Sequence, residues 1–274
     1  MPDYKDMIAI RGDLFEFDSA REYLIDHTNP NNYQRIANLA HGREHVIALY
    51  HDKKRRFAVH AVTNSWLGTG YSRIRIPRLI IEKGDQLPDT EIESYNSESL
   101  EKKKGYQYIT EKLSGRLNGI LPERQIAGLQ YVIDINNMQI FQSDCPQNRF
   151  VFPQRALFES SEHLFDSREM KPIPFDPKIN EYPRDVICIV FPRLSQLDIV
   201  GYSIKNGLSP SAMICEFPWN PNDVALQVKR LEETNIPELV RRNQIEQELQ
   251  NSPKPVSLNC KNNQRGEKRK RMNR

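Results

Sequence analysis

Two imidazoles and a carboxylate fall within five residues at His41-Gly42-Arg43-Glu44-His45. On a helix, this H-x-x-E-H spacing would set both histidines on one face, where they could share a zinc ion while the glutamate activates its water. Glu123 is a candidate third ligand from further along the chain. The local sequence argues against the helix. Gly42 interrupts the motif, and the residues after His45 alternate as a strand does. The expectation is an accidental match that straddles a loop and a strand, with no metal and no cofactor.

Other reactive side chains are scattered. The five-residue spacing is that of inverted zinc peptidases, but nothing else around it resembles them. Asp185, Asp198 and Glu216 could serve two-metal phosphodiester hydrolysis if the fold clustered them, yet Ser203 stands where an acid-x-lysine pairing with Lys205 would need its acid. Cys145, Cys188, Cys215 and Cys260 form no C-x-x-C pair and read as reduced thiols, with Cys188 and Cys215 inside apolar runs as small buried hydrophobes. A thiol nucleophile would need His163, the one histidine far from the first motif, and no spacing pairs them. Walker, Rossmann, kinase and nucleophile-elbow signatures are absent.

The strongest binding signal is cationic. In Tyr71-Ser72-Arg73-Ile74-Arg75-Ile76, alternation places Arg73 and Arg75 on one wet face, and Trp66, Tyr71 and Arg78 lie close by in sequence. Interleaved cations and aromatic rings are how phosphates and unstacked bases are held. The competing reading is a solvated strand face with the loop tryptophan folded onto the core.

Charge is unevenly divided. Seven cations against Glu267 give residues 261–274 a net +6, which leaves −3 on the preceding 260 residues of a chain totalling +3. Within that tail, Lys268-Arg269-Lys270-Arg271 suits an acidic groove on a nuclear import receptor. An electrostatic arm for nucleic acid, a solubilising tail, and a C-terminal export signal resembling those of type IV secretion substrates in a bacterial effector are the competing readings. Mean hydropathy of −0.68 and no apolar run near the ~20 residues a bilayer requires make a membrane partner unexpected. No apolar leader follows Met1, so a nuclear or cytoplasmic location is expected.

The elements that must carry these groups are read as follows. His45–His51 and a strand over 56–62 flank the turn Asp52-Lys53-Lys54-Arg55, and Leu129–Asp134 and Met138–Phe141 flank a second tight turn at Ile135-Asn136-Asn137. Asp134 is expected to cap that turn. Ile8–Ile10 and Leu14–Phe17 are short strands joined at Arg11-Gly12-Asp13, and Val186–Phe191 is a strand buried on both faces. Pro77 suggests a sheet edge before 78–81. Further strands are expected over 198–205 and 212–217, and helices over 20–26, 33–40, 108–120, 223–231 and from Pro237 to Leu249. Residues 82–104 are charged and aperiodic, which predicts an exposed loop.

Together these give an α+β fold: a mainly antiparallel sheet built from hairpins with helices packed on it, in one body over 1–250, and a disordered basic tail over 251–274. Function is expected to be that of a nuclear interaction or nucleic-acid-associated protein. An enzyme of unidentified chemistry, hydrolase or nuclease, is the alternative.

Overall fold

Ile8-Ala9-Ile10 has no solvent-exposed face: its isoleucines point into one hydrophobic cluster and Ala9 into another. That three-residue strand is an interior strand of the first sheet in the computed structural model, which describes residues 4–58 and 70–251. The fold is α+β, with four antiparallel sheets and seven helices among those residues.

The first sheet begins as a meander of β1 (Ile8–Ile10), β2 (Asp13–Phe17), β3 (Tyr23–Asp26) and β4 (Tyr33–Arg35). Arg11 and Gly12 both take positive φ, the backbone of a two-residue hairpin turn whose twist matches that of its strands. The second sheet follows, with β5 (Ala40–His41), β6 (His45–His51), β7 (Arg56–Phe57) and β8 (Tyr71–Pro77). β6 is its spine. It pairs along its whole length with β8 and, on its other edge, with β5 and then β7. Val46, Ala48, Tyr50, Ile74 and Ile76 face inward, so the first and second sheets share one core.

The chain then forms α1 (Arg78–Lys83) and α2 (Asp89–Glu101) before β9 (Tyr106–Tyr108) returns to pair with β1. The loop expected over 82–104 is therefore mostly helix. α2 turns Ile92, Asn96 and Ser99 inward at helical spacing, but two of the three are polar. They serve as a substitute strand. Asn96 donates to the Tyr108 carbonyl and accepts from the Tyr108 N–H, both at 2.8 Å, while Ser99 donates to the Tyr106 carbonyl at 2.6 Å. Side chains of a helix thus satisfy the open edge of β9, a group that would be costly to bury unpaired.

Other expectations are corrected by the same dominance of packing over local propensity. Asp18 does cap a turn, accepting from the N–H groups of Glu22 and Tyr23, but Arg21 at φ 52° ends it and the chain runs on as β3 instead of a helix. Over 33–40 the structure has β4 and a single 3-10 turn, Ile36–Asn38. Pro77 does end an edge strand, but 78–81 continue as α1. The helix expected over 108–120 is the shorter α3 (Glu111–Leu117), capped by Thr110.

The third sheet is the meander β10 (Glu123–Ile126), β11 (Leu129–Asp134), β12 (Gln139–Gln142) and β13 (Arg149–Val151). Asp134 caps its central turn by accepting from the Asn137 N–H at 3.1 Å and side-chain amide at 2.6 Å. The turn's positive φ falls on Met138. The fourth sheet has order β15-β14-β16-β17, from β14 (Ser161–Asp166), β15 (Lys171–Ile173), β16 (Val186–Phe191) and β17 (Gln227–Arg230). β17 stands where a helix over 223–231 was expected.

Between β16 and β17 lie α4 (Leu194–Leu197), α5 (Ile199–Lys205) and α6 (Pro210–Ile214), where strands over 198–205 and 212–217 were expected. Asp198 caps α5 and Ser209 caps α6, the latter with Pro210 at the first helical position. α7 (Ile236–Asn251) closes the described chain. A second core lies between the third and fourth sheets, around Phe150, Phe165 and Phe191. A third joins the back of β1 to α3, α5 and α6.

Candidate nucleic-acid interface

The candidate surface is the outer face of β6 and β8. Register sets Arg73 opposite Leu49 and Arg75 opposite Ile47, while Ile74 and Ile76 between them are buried. Both arginines are exposed, as alternation requires of a strand whose other face is core. Side chains two positions apart on such a strand stand roughly 7 Å from each other. Tyr71 continues the same row and meets His51 edge-on, with ring centroids 4.7 Å apart.

Several other cations nearby have acidic partners. Arg78, the first residue of α1, donates to Glu82 at 2.6 Å one helical turn away. It lies past the end of the strand that carries Arg73 and Arg75. Arg55 in the β6–β7 turn is bound by Asp13, and Arg11 lies 3.7 Å from Asp52, which also accepts from Ser72. Trp66 and Lys268, Arg269, Lys270 and Arg271 lie outside the described residues.

The zinc-like motif takes the conformation its sequence suggested. His41 ends β5, His45 begins β6, and the Gly42 N–H donates to the His45 carbonyl at 2.8 Å, which makes the five residues a hairpin turn and not a turn of helix. The backbone of the motif is therefore not the helical turn that the H-x-x-E-H spacing requires. Among the described residues, no three His, Cys, Asp or Glu side chains converge as a metal site would require.

The carboxylates considered for hydrolysis are dispersed. Asp198 is fully buried and receives both arms of the Arg116 guanidinium, Nε at 2.9 Å and Nη2 at 2.7 Å. Asp185 and Glu216 are exposed on separate loops. Burial pushes the Cys215 thiol up to about 12, so it stays protonated. His163 and Cys188 sit on neighbouring strands, yet His163 pairs with Ile189 and Leu164 pairs with Cys188, which sends imidazole and thiol to opposite faces of the sheet. Burial raises the Cys188 thiol as well.

One concave surface escaped the sequence. A cleft of about 810 Å³ lies between β13, the β14–β15 edge and the start of α7, and Arg149 and Arg242 line it. Its walls come from segments tens of residues apart, none with a linear motif. Comparison of this chain with protein families, with curated proteins and with solved structures finds no match. Among the described residues, no helix is long and apolar enough to cross a membrane.

Proposed function

We propose that this chain is a nuclear recognition protein that holds single-stranded nucleic acid on the outer face of β6 and β8. The observation that carries the reading is the placement of Arg73 and Arg75 two positions apart on one exposed strand face, beside the His51–Tyr71 ring pair. Guanidinium groups in a row can follow successive phosphates, and a ring at the end of the row offers a base a surface to stack on. The −3 balance outside the tail supplies no general attraction for a polyanion, so binding must depend on this local strip.

The test is fluorescence anisotropy of a labelled single-stranded oligonucleotide across a salt series. Replacing both arginines, Arg73→Gln with Arg75→Gln, should weaken binding and lower the slope of log K against log salt by about 1.4, from ~0.7 for each lost phosphate contact on a single strand. An unchanged slope in the folded double variant would remove the strip from the reading.

The nuclear part of the proposal rests on Lys268-Arg269-Lys270-Arg271 as an address read by an import receptor. A fusion too large for passive entry should be nuclear with residues 1–274 and cytoplasmic when truncated after Pro255. Equal accumulation of the two would show that the tail is not the address.

A further inference from the structure

We infer that the cleft beside α7 is a docking groove for an extended acidic peptide from a partner protein, which adds as a strand to the open edge of β13 or β14. Two strand edges border it without a partner among the described residues. β13 is the last strand of the third sheet, and β15 covers β14 only from Leu164 to Asp166, leaving Ser161 to His163 unpaired on that side. Pro174 follows β15 directly and has no N–H with which to continue the ladder. The Phe152 N–H donates inward to the Met138 carbonyl at 2.9 Å, so alternation along β13 turns the Val151 backbone outward, to the vacant edge.

The walls are built for a peptide with both apolar and acidic side chains. Val151 and Phe175 are 63% and 57% exposed at the cleft, and Ile173, Ile236 and Leu239 continue the apolar lining into one patch. Arg149 and Arg242 make no ion pair or hydrogen bond through their side chains among the described residues. Glu162, the one acid in the lining among the described residues, is bound by Lys229 at 2.7 Å. The cleft thus presents two uncompensated positive charges next to open backbone. An extended segment with an Asp or Glu between apolar residues complements all three features: its main chain fills the edge, alternate side chains reach the apolar wall, and its carboxylate meets a guanidinium. The chain's own tail, at +6, has the wrong sign for this groove. The strand face proposed for nucleic acid involves different residues, so either reading can fail alone.

The test selects peptides from a displayed library of random dodecamers on the full chain, then measures a labelled, selected peptide against variants. Selection should return alternating apolar residues with at least one Asp or Glu. Arg149→Glu and Arg242→Glu, both at exposed positions, should each weaken binding about tenfold. Val151→Pro, which removes the outward N–H, should weaken it further, and bound peptide should slow amide exchange at 149–151 or 161–163. Peptides without an acid, affinities indifferent to both charge reversals, or protection confined to other segments would overturn the inference. So would loss of oligonucleotide binding in the reversed variants with no peptide selected, because the cleft would then belong to the nucleic-acid surface.

Discussion

Asp198→Ala is expected to destabilise the protein by about 3–5 kcal/mol, read as a fall in the urea midpoint, because it strands the Arg116 guanidinium in the core. The two side chains are 0% and 4% exposed, and they meet through two parallel hydrogen bonds of 2.9 and 2.7 Å. A third bond runs from the Gly201 N–H to the Asp198 carboxylate at 2.9 Å, so the residue also caps α5. Arg116 belongs to α3, and the pair therefore ties α3 to α5 beneath the core that backs β1. There is no room to rearrange it: a Cβ on Gly201 would lie 2.2 Å from the carboxylate. Arg116→Met should cost a similar amount. Combining Arg116→Met with Asp198→Asn, which keeps an acceptor for the cap, should cost at least ~2 kcal/mol less than the single Arg116→Met and Asp198→Asn losses added together. Strict additivity would show that the two residues do not act as a unit.

Acid should unfold the protein through His163. The imidazole is packed among Phe150, Phe152 and Phe191, with ring centroids 5.7, 4.4 and 5.5 Å away, and its Nε2 is enclosed without a partner among the described residues. Burial in that apolar cage disfavours the charged ring and lowers its pKa from 6.5 to about 4. Between those values the unfolded chain binds a proton that the folded chain refuses, so stability rises with pH across the interval. The contribution is complete above pH 6.5 and declines as pH falls toward 4, a total of about 3 kcal/mol by the linkage of pKa to free energy. Urea titrations of wild type and His163→Leu at stepwise pH should diverge over this window, with the variant losing less. Parallel curves would mean that the imidazole is hydrated in the folded state. His163 also borders the cleft, so a peptide that closes over it should not alter the sign of the effect.

The elements legible in the sequence are those whose exposure differs between two faces or is absent from both. Arg73 and Arg75 alternate with buried isoleucines, so β8 and its wet face can be read from the residue types alone. β6 and β16, nearly all apolar, declare themselves as central strands, and the paired runs around Asn136 declare a hairpin. α7 is marked by Pro237 and its polar length. The α+β class follows from these few segments, because hairpins that expose an apolar side must be covered by something.

Tertiary structure decided the rest, and for one recurring reason: a buried polar group looks, in sequence, like an exposed one. α2 was indistinguishable from a loop because its inward face carries Asn96 and Ser99, whose value lies in the β9 backbone they satisfy. Asp198 resembled a metal-binding carboxylate until Arg116, 82 positions away, was placed against it. β3 and β17 are short strands whose pairing is supplied by neighbours and not by their own composition. The cleft beside α7 has no linear trace, since Arg149, Phe175 and Arg242 come together only when the third and fourth sheets and the last helix have packed. Residue type and spacing determine the faces of an isolated element, whereas the partner that satisfies each polar group is chosen by the fold as a whole.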